Sequence, residues 1–142
     1  MAGVSLIGTY QHTVDAKGRM AFPTKLRDRL GLLFYVTIGI KDCIYVYSES
    51  EWEKFTEKII TLTGEDRDMA DFLFSNATDV VPDSQGRVLL PQNLRNEAGI
   101  NREVIIRGVG NHAEVWDTER YGKYAQSFTK EKLSKSMANM AL

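Results

Sequence analysis

The sequence predicts a β-rich α+β fold in which one supersecondary unit is used twice around a pseudo-two-fold. Three observations predict it. The phrase DAKGRMAFP, residues 15–23, returns as DSQGRVLLP, residues 83–91. Asp15, Gly18, Arg19, Pro23, Leu26, Arg27 and Gly31 recur 68 positions on as Asp83, Gly86, Arg87, Pro91, Leu94, Arg95 and Gly99, seven identities in 17 positions. Val36 and Ile38 recur as Val104 and Ile106, and after a one-residue shift Ile44, Val46, Tyr47 and Trp52 answer to Ala113, Val115, Trp116 and Tyr121. Second, each copy carries short apolar runs of strand length separated by turn residues. Third, each copy ends on an aromatic stripe at helical spacing.

The elements follow in order. SLIGTYQHTVD puts Leu6, Gly8, Tyr10, His12 and Val14 on one face and Ser5, Ile7, Thr9, Gln11 and Thr13 on the other, the alternation of a half-buried strand. DAKG reads as a turn, with Asp at its first position and Gly at its fourth. The chain then reverses into the short strand RMAF, which Pro23 stops and converts to a helix start. TKLRDRLG gives one or two helical turns closed by Gly31. LFYVTIGI and CIYVYS form a hairpin around Lys41 and Asp42. Ser48 and Glu51 make a capping box, and Trp52, Phe55, Ile59 and Leu62 stripe the helix behind it. GEDRDMADFLFSNA is a helix expected to turn Met69, Phe72 and Leu73 inward. The second copy repeats the pattern from TDVVPD, with GVG at 108–110 as its hairpin turn, to a helix striped by Tyr121, Tyr124, Ala125 and Phe128. The tail from Glu131 is a frayed end or a weak helix. The organisation expected is therefore a first repeat over 1–62, a connecting helix over 63–76, a second repeat over 77–130 and a tail over 131–142, the two repeats making one structural domain.

Composition narrows the function classes. The chain has 142 residues and a net charge of −1, from 18 Lys and Arg against 19 Asp and Glu. No apolar run approaches the ~18 residues of a membrane span, so no membrane partner is expected. MAGVSLIGTY lacks the basic start and long apolar core of a secretion signal. Cys43 stands alone, which excludes an internal disulfide and suits a reducing cytoplasm. His12 and His112 lie 100 positions apart without a neighbouring Cys or second His, so no metal is expected. No nucleophile–base pair or phosphate loop is visible, so neither an enzyme, a cofactor nor a small-molecule substrate is expected. Tyr45, Tyr47 and Trp116 read as packing groups, and Glu49, Glu51, Glu65 and Asp66 as helix-start carboxylates.

Nucleic-acid binding would have to rest on where charge sits. In each motif Gly18 or Gly86 permits a left-handed backbone, and Asp15 or Asp83 can accept hydrogen bonds from its own turn. Arg19 or Arg87 then stands just past the turn on a rigid ladder, where a guanidinium can pair with a guanine edge or clamp a phosphate. Around the first motif Lys17, Arg19, Lys25, Arg27 and Arg29 face only Asp15 and Asp28; around the second, Gln85 replaces the lysine, and Arg87 and Arg95 face Asp83 and Glu97. Such a turn is most often only a turn, and a duplication would copy a structural turn as well.

DAKGRMAFPTKLRDRL, with its echo DSQGRVLLPQNLRNEAG and the flanking helices, resembles the MraZ family of bacterial transcription regulators. The similarity runs from about Leu6 to Phe128. It implies an AbrB-like swapped-hairpin β-barrel made by the two repeats, with helices outside. It further implies a homo-oligomeric ring, commonly an octamer, and a nucleoid-associated regulator of the division and cell-wall gene cluster. That regulator would bind double-stranded DNA at short G-rich direct repeats in the promoter. The family's DNA-contacting arginine falls on Arg19, with Lys17 beside it, and the second motif falls on Arg87; Lys25, Arg27 and Arg29 extend the expected DNA-binding set. The alternative is a scaffold whose repeated turns bind a protein partner.

Overall fold

The computed structural model describes residues 5–142. Residues 1–4, the start of the first expected repeat and part of the stretch in which no secretion signal is expected, lie outside the described residues. The strands are β1 (Thr9–Thr13), β2 (Arg19–Ala21), β3 (Phe34–Ile38), β4 (Ile44–Ser48), β5 (Thr78–Val80), β6 (Arg87–Leu89), β7 (Glu103–Gly108) and β8 (Ala113–Asp117). The helices are α1 (Thr24–Leu30), α2 (Glu49–Ile59), α3 (Gly64–Ser75), α4 (Gln92–Glu97), α5 (Thr118–Ala125) and α6 (Lys130–Asn139). The local reasons are those the residue types suggest. Gly31 ends α1 at φ 94°, and Ser48 caps α2 by accepting from the Glu51 N–H. The Glu51 carboxylate bonds Lys54 instead of completing a capping box.

Strand pairing crosses between the repeats. The large sheet runs β1-β7-β8-β4-β3-β5, and β2 pairs with β6 as a separate two-stranded ribbon. All pairs are antiparallel. A pseudo-two-fold axis passes through two register pairs, Tyr45 opposite Glu114 and Met20 opposite Val88. In each, the two partners occupy the same place in their repeats.

The expected closed barrel does not form. The large sheet ends at β1 and β5, which do not pair among the described residues, and the ribbon is a separate sheet that packs on the same core. Two features prevent closure. The motif turn leads the chain away from β1 after one bridge, Val14 to Met20. Pro23 and Pro91 follow closely on β2 and β6, and a residue without an N–H cannot extend a ladder back to the sheet edge. What forms is an α+β fold with two antiparallel sheets.

One face of the large sheet, the underside of the ribbon and helices α1 and α4 enclose the main core, which includes Met20, Leu26, Phe34, Ile44, Val88, Leu94 and Ile106. Residues of both repeats supply it, so neither repeat could bury its apolar face alone. The other face is aromatic. Tyr35 and Tyr47 meet Trp52 of α2, and Trp116 meets Tyr121 and Tyr124 of α5. Tyr47 and Trp116 are buried there, so they pack as expected. Of the three residues expected to face inward from α3, only Leu73 is half-buried. Ala70 is buried, while Met69 and Phe72 are 63% and 57% exposed. Phe74 sets this rotation by meeting Trp52 edge-on.

A candidate nucleic-acid interface on the two-stranded ribbon

Both motif turns are built identically. Asp15 Oδ1 accepts from the N–H groups of Lys17 and Arg19 at 2.9 Å each, and its Oδ2 accepts from Arg19 Nε at 3.0 Å. Asp83 accepts from the N–H groups of Gln85 and Arg87 at 2.8 and 2.9 Å, and from Arg87 Nε at 3.0 Å. The bonds to the following arginine, its N–H first, hold both carboxyls below their ordinary pKa. Each arginine is thus tied back through Nε alone, and its two Nη groups make no bond among the described residues. Four N–H donors in a planar fork are left without a partner among the described residues.

The ribbon decides where those forks point. Arg19 lies opposite Leu89, and Ala21 opposite Arg87. Residues two apart in a strand, and residues directly opposed, share a face. Arg19, Ala21, Arg87 and Leu89 therefore occupy one face, and Met20 and Val88, each 1% exposed, occupy the other. The arginines are diagonal neighbours, ~7–8 Å apart at the backbone. Their side chains are 34% and 31% exposed.

Each repeat braces the turn of the other. Phe22 N–H donates to Gly86 O, and Leu90 N–H donates to Gly18 O. Arg27 of α1 lies over Gly86, and Arg95 of α4 lies over Gly18. Arg95 is held there by Leu90 O and Gln92 Oε1. Both glycines are buried and left-handed, at φ 85° and 77°. Gly86→Ala would place a Cβ into the Arg27 guanidinium, and the left-handed backbone alone costs an L-residue about 1–2 kcal/mol. Thermal denaturation should show at least that loss. Gly122→Ala in α5, where a Cβ meets open space, should leave stability unchanged or slightly raised.

The basic residues are distributed differently from their order in the sequence. Lys17 is exposed at the first turn, and Lys25 is exposed on α1. Arg27 lies at the second turn, lining a shallow groove of about 610 Å³ with Asp28, Leu32, Val81, Ser84 and Gln85. Arg29 donates to Ser5 O at 2.6 Å. The cluster that reads as one patch around the first motif is therefore divided between the two. Sequence reasoning missed Arg95 as a brace of the first turn, although its identity with Arg27 in the repeat was the available signal.

The comparisons with known proteins agree with this architecture. The profile described as "MraZ protein, putative antitoxin-like" matches twice, over residues 6–72 and 73–142. The chain belongs to the MraZ family. It is 39% identical over 140 residues to the "Transcriptional regulator MraZ" of Acetivibrio thermocellus, covering 95% of this chain and 98% of that one. It is 41% identical over 124 residues to the protein of that name from Syntrophomonas wolfei, covering 85% and 87%. It is 43% identical over 124 residues to the one from Clostridium beijerinckii, with the same coverages. These relatives are named as transcriptional regulators. Among the described residues no helix is long and apolar enough to cross a membrane.

Proposed function

We propose that the chain is a transcriptional regulator that binds double-stranded DNA by laying the β2–β6 ribbon into the major groove, with Arg19 and Arg87 on guanine edges. One observation carries this reading: both motif arginines share the one exposed face of a two-stranded ribbon, each with Nε anchored and both Nη groups without a partner among the described residues. The major groove, about 12 Å wide, admits a two-stranded β-ribbon, and arginine to guanine O6 and N7 is the commonest specific contact there. Lys17 and Lys25 would contact phosphates. Arg27 would support the second turn and Arg29 the start of the described chain.

The target is short G-rich direct repeats in the promoter of a division and cell-wall gene cluster, bound by a nucleoid-associated, cytoplasmic ring of copies, in the octameric form the resemblance implies. A ring supports the reading because one ribbon offers few contacts, and tethered copies raise the effective concentration of the next binding event. Repeats about one helical turn apart would present the same side of the duplex to successive copies. Exposed Ile60, just past α2, and Met69 and Phe72 on α3 are consistent with contacts between copies. Light scattering at micromolar concentration should give a mass of several chains; a stable monomer would remove the ring.

A gel shift with such a promoter over a salt series tests the reading. Affinity should fall steeply with salt, and a scrambled duplex should bind more weakly. Lys17→Ala should weaken binding to every sequence and reduce the salt slope by about one unit. Binding indifferent to sequence and salt would favour the scaffold.

A further inference from the structure

The pseudo-two-fold makes Lys17 and Gln85 equivalent in position and unlike in chemistry. Each is the third residue of its turn, and each donates its backbone N–H to the motif aspartate, at 2.9 and 2.8 Å. Both side chains are exposed and make no bond among the described residues. Nearby Gln92, by contrast, engages its amide with Asn96 and Arg95. The Gln85 backbone is fixed from below, because Gly86 is bonded to Phe22 and covered by Arg27. A free carboxamide on a braced base loses little freedom on meeting a ligand.

We propose that Gln85 reads an adenine edge in the major groove, so that the two turns of one protomer make unlike contacts: a cationic one through Lys17 and an adenine-specific one through Gln85. This rests on the DNA-binding reading above. A lysine offers only donors, which a phosphate or a guanine accepts without further discrimination. A glutamine offers a donor and an acceptor side by side, the complement of adenine N6 and N7. Against guanine its carbonyl oxygen would face O6 and stay unpaired.

The ribbon also gives the spacing. Gly18 faces Leu90 and Gly86 faces Phe22 across the ladder, so the turns lie four residues apart along it. At 3.3 Å per residue this is about 13 Å, or roughly four base steps of 3.4 Å along one strand. The adenine therefore flanks the guanines met by Arg19 and Arg87, on the side of the second turn.

The test is binding of wild type, Gln85→Ala and Gln85→Lys to a promoter duplex and to duplexes in which single adenines are replaced by 7-deazaadenine. That replacement removes N7 and leaves base pairing and the minor groove unchanged. Wild type should lose roughly 2- to 13-fold at one adenine position beside the guanines, the range of one hydrogen bond of the pair. Gln85→Ala should bind the unmodified duplex more weakly and be indifferent to that replacement. Gln85→Lys should also be indifferent, with a salt slope steeper by about one unit. A Gln85→Ala variant that keeps the wild-type position profile would overturn the proposal while leaving the DNA reading intact. Wild type that does not prefer the promoter to a scrambled duplex would overturn both.

Discussion

Arg19→Ala and Arg87→Ala are each expected to abolish sequence-specific DNA binding while leaving the fold intact. Each variant removes a fork whose only bond within the described chain is Nε to its own aspartate. Both aspartates keep two backbone N–H donors, so the turns survive the change. A bidentate arginine–guanine pair carries about 1–3 kcal/mol of discrimination, and every engaged copy in an assembly loses its share. The losses should be similar for the two variants. The order of residues along the chain suggests otherwise, because Lys25, Arg27 and Arg29 follow the first motif. The cross-pairing of β2 with β6 lessens that asymmetry by carrying Arg27 to the second turn and Arg95 to the first, so that Lys17 against Gln85 is the difference that stays at the turns. Gel shifts on one promoter, with melting temperatures as the control for folding, check this. A large loss for one variant and none for the other would show that the ribbon does not act as a unit.

Glu114→Ala is expected to destabilise the protein by about 3–5 kcal/mol, the cost of breaking a buried ion pair from one side. Glu114 is the second residue of β8 and is fully buried. It accepts from Arg107 Nε at 2.8 Å, Trp116 Nε1 at 2.9 Å and Lys41 Nζ at 3.1 Å, with His112 Nε2 at 3.3 Å. Lys41 belongs to the first repeat's hairpin and the other three to the second repeat, so this carboxylate joins the repeats near the pseudo-two-fold. Its removal leaves the Trp116 N–H without an acceptor and Arg107 without its carboxylate. A midpoint fall of roughly 10–20 °C corresponds to that loss in a domain of this size.

The same residue gives a pH dependence. Burial alone would raise the Glu114 pKa, but the bonds from His112, Trp116, Arg107 and Lys41 outweigh it and hold the carboxyl far below its ordinary 4.5. A carboxyl whose folded pKa is depressed contributes stability that is present above its unfolded pKa and lost as the pH falls towards the folded one. Wild type should therefore lose stability progressively below about pH 5. Glu114→Gln, already weaker at neutral pH, should decline less steeply over the same range. Parallel curves for the two proteins would mean that other carboxylates govern acid unfolding.

The local elements were legible because their signals are local: an Asp and a Gly three apart for the turns, Pro23 and Pro91 for the helix starts, alternation for the half-buried β1. Pairing was not, because a repeat shows which strands are equivalent and says nothing about which strands touch. RMAF could return along the preceding strand or cross to its counterpart, and the choice belongs to the pairing of Met20 with Val88 on the ribbon's inner face. Barrel closure depends in the same way on edges that no short stretch encodes. In α3 two stripes compete, one through Met69 and Phe72 and one through Ala70 and Phe74, and only the position of Trp52 decides between them. The charge of Glu114 inside the apolar strand AEVW was a visible anomaly, but its partners come from three separate places in the chain. The candidate site was half legible: Arg19 and Arg87 were marked by the repeat itself, while their shared face exists only because β2 and β6 pair.

Guanine methylation protection on a bound promoter tests the ribbon-in-groove account most directly, because dimethyl sulfate attacks guanine N7 at the major-groove edge. Wild type should protect pairs of neighbouring guanines once per direct repeat, and Arg19→Ala and Arg87→Ala should each expose them under conditions where DNA is still held. Full reactivity of those guanines beneath a bound wild-type protein would contradict the account.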